Sequence, residues 1–350
     1  MPEDLINHLV SLLEDEENRI LCQAILGIAE AHDVAAFIQE CCMTSVHQRV
    51  RECLYIGFSI GASFGLRLDD GYRIFLKFSR PSAEEGSIPL ETHRAMALTQ
   101  VHLHQAGFPC PQVIIPPFEF KNTIVSISRY TVLGEQVDAH RPAIRREMAR
   151  SLAQLINLAE PCSNLEGFAY HDIFRTADLY PPPHNALFDF TPTAAIGRWI
   201  DEIVMRAKTT LNAAERHIVL GHSDWSMKNM RLRNGEVVMV YDWDSLCLLD
   251  ECHHLGTAAA TFPTTWDIPV LITPSQAEAL AFAEEYETAR GKPFSAAEWQ
   301  RIAAYATYVI CYTSRCELCL DPHNENLEGS YRQALQEMQG DFYILPQNVV

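Results

Sequence analysis

The sequence predicts an α+β fold in which a small antiparallel sheet precedes a larger, mainly helical lobe. Apolar residues follow helical spacing over roughly residues 3–50, then mark short strands from Cys53 to Tyr130, and return to helical spacing over the remainder. The 350 residues amount to about two domains at roughly 150 residues each. We therefore expect a helical extension at 1–50, a smaller lobe at 51–130 and a larger lobe at 131–350.

The predicted smaller lobe alternates strands with turns around a single helix. The strands are predicted at 54–56, 64–68, 72–78, 112–116 and 123–130, with a turn at Asp69-Asp70-Gly71. A helix is expected from about Pro89 to Ala106, because Pro suits the first turn and Gly107 followed by Pro109 ends it. One helix over a small sheet is the expected result.

The predicted larger lobe is built mainly from long helices. Helical spacing covers the segments 144–159, 193–211, 274–289 and 295–316, whereas the proline-rich stretch 180–185 is expected to be a loop. We find no internal repeat and no low-complexity tract in the sequence.

Composition excludes several functional classes. The formal net charge of −18, without a basic stripe, argues against a nucleic-acid partner. The amino terminus lacks the basic and apolar regions of a signal peptide, and no apolar run reaches the roughly 18 residues of a membrane span, so we expect a cytoplasmic protein. The eleven cysteines are expected to be reduced core thiols, and the single Cys316-x-x-Cys319 pair is a weak zinc signal.

One stretch of the larger lobe brings several polar residues together at a regular spacing. His222, Asp224 and Asn229 form the pattern His-x-Asp-x4-Asn, and Asn234-Gly235 follows between two strand-like runs. Asn-Gly favours a two-residue type I′ hairpin, which by outward counting pairs Asn229 with Val240. Asn229 then becomes the diagonal neighbour of the residue after Tyr241.

That residue is Asp242. Diagonal side chains share a face and lie roughly 7–8 Å apart, so a carboxamide oxygen and a carboxylate can bind one hard cation. The spacing therefore predicts a Mg²⁺ site at Asn229 and Asp242. Asp224 would lie beside the metal-bound phosphate and accept the proton of an attacking hydroxyl, with His222 as the second catalytic residue. The alternative is that His222 and Asn229 cap turns and both aspartates are solvated.

With these residues in place, the region resembles the catalytic segment of the aminoglycoside phosphotransferase family, over roughly residues 50–320. The resemblance implies a bilobal protein-kinase-like fold, Asp224 as catalytic base, and Asn229 and Asp242 as magnesium ligands. Tyr241-Asp242-Trp243-Asp244 resembles the motif of this small-molecule branch, whereas protein kinases have Asp-Phe-Gly there. Ser223 stands where a protein kinase has Arg, and no Ala-Pro-Glu follows, which disfavours a protein substrate.

The resemblance also implies a nucleotide site in the smaller lobe. Lys77 on the third strand is expected to bind phosphate and to pair with Glu91 of the following helix, with Glu84 and Glu85 as competitors. The small residues of the first hairpin, Ser59, Gly61 and Ser63, would approach the phosphates, although two glycines in a hairpin usually mark only a turn. The adenine would bind near Ser128 and Tyr130.

One position departs from the family pattern. His254 stands where family members commonly have an aspartate that braces the catalytic loop, which puts that brace in doubt. Cys252-His253-His254 could also bind a metal, but no spaced partner ligands accompany it.

These observations favour an ATP- and Mg²⁺-dependent kinase that phosphorylates a hydroxyl of a small molecule. The alternative is a nucleotide-binding module that has kept the fold without turnover. An aminoglycoside-like acceptor predicts that several carboxylates surround Asp224, the candidates being Asp172, Glu284, Glu285, Glu287 and the segment 321–328. A neutral acceptor predicts aromatic lining instead, the candidates being Phe188, Phe190, Trp199 and Trp266. The oligomeric state is left open.

Overall fold

The amino-terminal helices arise from short amphipathic runs with clear caps. The structure, a computed structural model, describes residues 3–80, 88–170, 178–181, 187–211 and 216–344. Its first helices are α1 (Glu3–Leu13), α2 (Glu16–Leu26) and α3 (Ala31–Ser45). The Asp15 side chain accepts a hydrogen bond from the backbone N–H of Asn18 and so caps α2, which ends at Gly27 in the left-handed conformation, φ 73°.

A five-stranded antiparallel sheet follows these helices. Its strands are β1 (Val50–Phe58), β2 (Ala62–Leu68), β3 (Arg73–Ser79), β4 (Val113–Phe120) and β5 (Thr123–Arg129), in the order β1-β2-β3-β5-β4. The helix α4 (Leu90–Gln105) lies in the chain between β3 and β4. Residues 81–87, which include the competing carboxylates Glu84 and Glu85, fall outside the described residues.

The three helices and the sheet share one hydrophobic core. Leu5, Leu9 and Ile38 from the helices are fully buried in the same cluster as Phe64 and Phe78 from the sheet. The carboxylate of Asp4 also accepts a hydrogen bond of 2.8 Å from the Cys53 backbone N–H. The helical segment at 1–50 is therefore integrated with the sheet through a common core.

The chain divides into two compact units, of which the first comprises Met1–His104, Pro111–Val132 and Pro182–Leu187. The second unit comprises Gln105–Cys110, Leu133–Pro181 and Phe188–Val350. Its long helices are α5 (Pro142–Ala159), α6 (Ala194–Leu211), α7 (Glu251–Thr261), α8 (Gln276–Arg290) and α9 (Ala296–Leu320), followed by the short α10 (Tyr331–Gln336). Its four strands form two antiparallel pairs: β6 (Ile218–His222) with β9 (Leu246–Asp250), and β7 (Met230–Arg233) with β8 (Glu236–Val240). The predicted α+β class, with a small sheet and a larger helical part, is confirmed.

Sequence spacing predicts the long helices and misses α7. Capping boxes begin α8 at Ser275 and α9 at Ser295, close to the starts predicted from spacing. In contrast, α7 buries eight of its eleven residues, so no polar face reveals a helical period. Its first residues are fixed by charge, because Asp250 caps the helix and pairs with Arg301 at 3.1 Å.

No single helix among the described residues is long and apolar enough to cross a membrane. The pair α2 and α3, bent by 41° at the break between them, meets the length and composition criteria together. Both helices contribute buried side chains to the core described above.

Candidate active site

The loop after β6 is held by the imidazole of His222. This buried ring uses both nitrogens: Nδ1 accepts a 3.2 Å hydrogen bond from the Asp224 backbone N–H, and Nε2 lies 3.0 Å from the Tyr241 carbonyl oxygen. The geometry requires the neutral tautomer with its proton on Nε2. Burial lowers the pKa of His222, although the nearby carboxylates of Asp242 and Asp224 oppose the shift. His222 therefore joins the backbone of the loop to the segment before Asp242.

The Asp224 carboxylate is the centre of the predicted catalytic residues. Its Oδ2 accepts a 2.9 Å hydrogen bond from Asn229 Nδ2 and lies 2.9 Å from Lys228 Nζ. Its Oδ1 meets only the longer hydrogen bond, 3.4 Å, from the Ser226 hydroxyl among the described contacts. The side chain is one-third exposed. Among the described contacts, Oδ1 is thus the less strongly bonded of the two carboxylate oxygens.

Asn229 faces Asp224 through its amide nitrogen. The same Nδ2 donates to the backbone carbonyl of Asp224 at 2.9 Å as well as to its carboxylate. Because both N–H groups are directed at Asp224, the amide oxygen is the end that can ligate a cation.

The predicted hairpin register is wrong by one residue. Asn234 and Gly235 have positive φ values of 55° and 84°, as a type I′ turn requires. A bulge between Arg231 and Leu232 then shifts the ladder, so that Met230 pairs with Val240. Asn229 instead lies opposite Tyr241, whose N–H donates to its carbonyl at 2.8 Å. The diagonal relation between Asn229 and Asp242 is therefore not formed, and other contacts position Asp242.

Asp242 lies in the left-handed conformation, φ 64° and ψ 50°, where the chain leaves β8. Its Oδ2 accepts a 3.0 Å hydrogen bond from the Ser245 hydroxyl, and its carbonyl accepts the Ser245 N–H at 3.0 Å. An αL aspartate bonded in this way is a local turn that aims the carboxylate. The amide oxygen of Asn229 and this carboxylate are both hard oxygen donors, the ligand type that Mg²⁺ prefers.

The first unit places three of the predicted nucleotide residues on one sheet face. Lys77 pairs with Ser63 on β2 and with Ser126 on β5, which makes a row across the sheet. Ser128 lies in the adjacent row, opposite Phe75. The buried face of β3 is formed by Ile74, Leu76 and Phe78. Because side chains alternate between the two faces of a strand, Lys77 lies on the more exposed face.

Gly61 is explained by packing in the first hairpin. A Cβ atom at this position would lie 2.7 Å from the Phe78 carbonyl oxygen and 3.1 Å from Lys77 Cε. Its carbonyl accepts the N–H of Ser59, whose side chain lies at the exposed tip of the turn. The absence of a side chain at Gly61 lets β3 approach closely and leaves room for the stem of Lys77.

Tyr130 covers the sheet beside this row. Its ring stacks on Phe75 with centroids 6.3 Å apart and an interplanar angle of 13°. A Cβ atom on Gly65 would lie 2.6 Å from the Tyr130 ring, so glycine at that position is required for the ring to lie there. Ser128 and Tyr130 thus adjoin one aromatic surface of the first unit.

The predicted ion pair between Lys77 and Glu91 is wrong. The Glu91 carboxylate is 61% exposed and binds Arg94 at 2.8 Å on the same helix. On α4, the positive charge of Lys77 acts on the buried His93. The pKa of His93 is lowered to about 4, mainly by burial and also by the Lys77 charge. Helical phase explains the difference, because His93, Met96 and Gln100 share the buried stripe and Glu91 does not.

His254 is buried against Gly221, near the end of β6. A Cβ atom on Gly221, the residue before His222, would lie 2.9 Å from the His254 ring. Burial lowers the pKa of His254 to about 4, so the ring is neutral. The neighbouring His253 stacks on Tyr305 at 4.5 Å. Within the described ranges, no cluster of three His, Cys, Asp or Glu side chains could hold a metal, so the Cys252-His253-His254 metal interpretation finds no support.

Two residues near Asp224 were missed as site residues by sequence reasoning. Lys228 lies in the same motif and follows Asp224 at i+4, a spacing that could have identified it. The Tyr331 hydroxyl bonds to Thr264, and Asp224 contributes to the raised pKa of Tyr331, which burial mainly causes. No sequence signal places Tyr331 there. Trp266, one of the aromatic candidates for a neutral acceptor, has its ring centroid 5.5 Å from Lys228 Nζ.

The fold is shared with several solved phosphotransferases. Amicoumacin kinase, solved with AMP-PNP and Ca²⁺, superposes with a TM-score of 0.59 at 10% identity, covering 90% of this chain and 98% of that chain. Spectinomycin phosphotransferase, solved with ADP and spectinomycin, gives 0.55 at 14% identity, covering 88% and 96%. An aminoglycoside phosphotransferase mutant in a ternary complex with ADP and hygromycin B gives 0.53 at 14% identity, covering 87% and 99%.

Comparison of the sequence with protein-family models assigns the chain to a family. No curated protein sequence matches the chain. The model of the phosphotransferase enzyme family, APH, matches residues 56–305, which contain both the Lys77 strand and the segment from His222 to Asp242. The family resemblance inferred from those motifs is confirmed, and the chain belongs to the phosphotransferase enzyme family.

Proposed function

We propose that this protein is an ATP- and Mg²⁺-dependent kinase that transfers the γ-phosphoryl group to a hydroxyl of a small molecule. The arrangement around Asp224 carries the proposal, because Asn229 donates to Oδ2 at 2.9 Å while Oδ1 accepts only the longer Ser226 bond among the described contacts and can therefore accept a bond from a ligand. The nucleotides in the related structures, AMP-PNP in one and ADP in two, support a nucleotide donor.

In the proposed reaction, Asp224 Oδ1 accepts the proton of the acceptor hydroxyl as the hydroxyl oxygen forms its bond to the γ-phosphorus. The bond between that phosphorus and the bridging oxygen breaks, and ADP leaves. His222 keeps the loop in register through its bonds to the Asp224 N–H and the Tyr241 carbonyl. Asn229 and Asp242 would hold magnesium, which supplies positive charge to the phosphates when bound.

Lys77 would supply a further positive charge to the phosphates, as the family resemblance implies. Its place in the row with Ser63 and Ser126 supports this role, because hydroxyl groups flank the ammonium-bearing strand on both sides. The exposed Glu91 would not orient it, and the neutral His93 stands on the buried helix face instead.

The test is a turnover assay with ATP, Mg²⁺ and a panel of small hydroxyl compounds, read by ADP formation and by mass spectrometry for a gained phosphoryl group. We expect a phosphorylated product with the wild-type protein and none with Asp224→Asn or after magnesium chelation. Nucleotide binding without product from any compound would contradict the proposal and favour the nucleotide-binding module. Phosphate incorporated into added protein would instead indicate a protein kinase.

A further inference from the structure

The charge of Asp224 is balanced inside the site before any acceptor binds. Lys228 Nζ lies 2.9 Å from Asp224 Oδ2, and both side chains are one-third exposed. An acceptor hydroxyl that approaches Oδ1 therefore meets an ion pair and not an unpaired carboxylate.

Two of the carboxylates expected around a polycationic acceptor are engaged elsewhere. Glu285 forms an ion pair with Arg145 at 2.9 Å, with both side chains mostly buried. Glu287 accepts the Phe294 backbone N–H at 2.6 Å where α8 ends. Asp172 lies outside the described residues. These contacts make Glu285 and Glu287 poorly suited to attract ammonium groups to Asp224.

An exposed aromatic ring borders the same ion pair. Trp266 is 69% exposed, the largest exposed fraction among the large hydrophobic side chains described. Its ring centroid lies 5.5 Å from Lys228 Nζ, so Lys228 contacts both the indole and the catalytic carboxylate. An exposed tryptophan commonly marks a surface that binds ligands or partners, because a large flat apolar group in water gains by being covered.

Lys228 also decides which kind of ligand this ring can take. An open tryptophan face is a good binding site for an ammonium ligand. Here the ammonium of Lys228 already holds the cation position near the ring, and a second cation would be repelled by it. The ring is thus left for apolar stacking.

We infer that the acceptor is an uncharged hydroxyl compound with a flat, apolar face that stacks on Trp266 while its hydroxyl reaches Asp224 Oδ1. The inference rests on the proposed function and names its substrate class. Trp266 acts as the specificity residue through contact with the acceptor, and Lys228 excludes cationic acceptors by neutralising Asp224 and by occupying the cation position beside the indole.

Four probes of matched size test this inference: 4-methylbenzyl alcohol, 4-(aminomethyl)benzyl alcohol, 4-(hydroxymethyl)benzoate and the non-aromatic cyclohexylmethanol. Binding is measured by ligand-observed NMR with AMP-PNP and Mg²⁺ present, and turnover with ATP is measured separately. For the wild-type protein we expect the neutral aromatic alcohol to exceed each other probe about tenfold in affinity.

Single substitutions test the roles of Trp266 and Lys228 separately. Trp266→Ala should weaken the neutral aromatic alcohol about tenfold and Trp266→Phe should restore most of the affinity, whereas Ile196→Ala, which removes another exposed apolar side chain, should change nothing. Lys228→Gln should raise affinity for the aminomethyl probe and reduce the preference for the neutral one.

Preferential binding of the cationic probe, or affinity for the neutral aromatic alcohol that is unchanged in Trp266→Ala, would overturn the inference. A lack of neutral-probe binding would do the same. Because binding is read without turnover, Trp266-dependent binding in a protein that forms no ADP with any alcohol would support the ligand class and contradict only the kinase proposal.

Discussion

His222 accepts a hydrogen bond from the backbone N–H of Asp224 through Nδ1, at 3.2 Å. The same ring reaches the Tyr241 carbonyl through Nε2, and it lies edge-on to Trp225 and Trp243 with centroids 5.8 and 5.9 Å away. A ring that is buried, neutral and fully bonded is suited to positioning the loop and poorly suited to exchanging protons with a ligand. The proposed reaction accordingly assigns the contact with the acceptor to Asp224.

Substituting His222 should therefore affect the turnover rate more than nucleotide affinity. His222→Phe keeps an aromatic ring between the tryptophans but removes both hydrogen bonds, and it leaves two backbone groups unpaired at a cost of about 1–3 kcal/mol each. We expect kcat to fall at least tenfold with nearly unchanged ATP affinity, measured by steady-state kinetics and calorimetry. His32→Phe, at an exposed helix position, is the control. Unchanged kcat in a folded His222→Phe protein would refute the positioning role.

The sequence alone was sufficient to predict the strand of Lys77, because alternating burial on β3 follows directly from the residue types. It was not sufficient for the contacts of Asn229 and Asp242. The register depends on a bulge at Arg231 and Leu232, and a bulge follows from how the two strands twist and pack, which the hairpin residues do not encode.

The ion pair predicted for Lys77 failed for a different reason. Glu91 has the charge that a lysine requires, yet its helical phase turns it toward Arg94 and solvent. The buried positions His93, Met96 and Gln100 define that phase, but a pattern that treats histidine as a surface residue does not reveal it. The family resemblance favoured a carboxylate at Glu91, whereas the packing of α4 exposes that residue and buries His93.

Asp224→Asn should abolish turnover while nucleotide binding is retained. The substitution removes the proton acceptor and the ion pair with Lys228, but it preserves a side chain that can accept the Asn229 amide bond. We expect kcat to fall by about 10²–10⁴, the usual contribution of general-base catalysis, with ATP affinity within about threefold. Near-native kcat would show that Asp224 is not the base.

Asp242→Ala should remove the magnesium dependence of nucleotide binding. This aspartate supplies the full negative charge of the predicted donor pair, and Asn229 offers only a neutral oxygen. Ser245→Ala, which deletes the 3.0 Å bond to the Asp242 carboxylate, should weaken the same dependence by a smaller factor. Calorimetric titration of AMP-PNP with and without Mg²⁺ measures both effects. Equal magnesium dependence in Asp242→Ala and wild type would exclude Asp242 as a ligand.

The buried histidines make stability sensitive to acid. The pKa values of His93 and His254 are lowered to about 4, mainly by burial, while an unfolded histidine has a pKa of about 6.5. The unfolded chain therefore binds more protons between these values, and stability present above about pH 6.5 is lost as pH falls toward 4. His140 opposes this trend, because its hydrogen bonds to Leu271 and Glu278 raise its pKa against the effect of burial.

We expect the free energy of unfolding to decrease on the order of 1 kcal/mol per pH unit for each of these two histidines across that interval. Urea unfolding at several pH values measures the slope. The double variant His93→Gln/His254→Gln should have a flatter slope, whereas the exposed His32→Gln should match wild type. An unchanged slope in the double variant would show that neither histidine is held neutral in the folded protein.

The packing of Gly221 against His254 gives the final prediction. An added Cβ at Gly221 would lie 2.9 Å from the His254 ring, closer than real Cβ contacts allow, so Gly221→Ala should cost roughly 1–3 kcal/mol of unfolding free energy. In a His254→Ala background that clash is absent and the new methyl group partly fills the space of the ring, so the alanine at 221 should cost much less. Urea unfolding of the four proteins gives the coupling energy, which we expect to exceed about 1 kcal/mol. Additive costs would mean that the two residues do not touch.

If the histidine also braces the loop that carries His222, His254→Ala should lower kcat beyond its effect on stability, whereas unchanged kcat in the folded variant would restrict His254 to core packing.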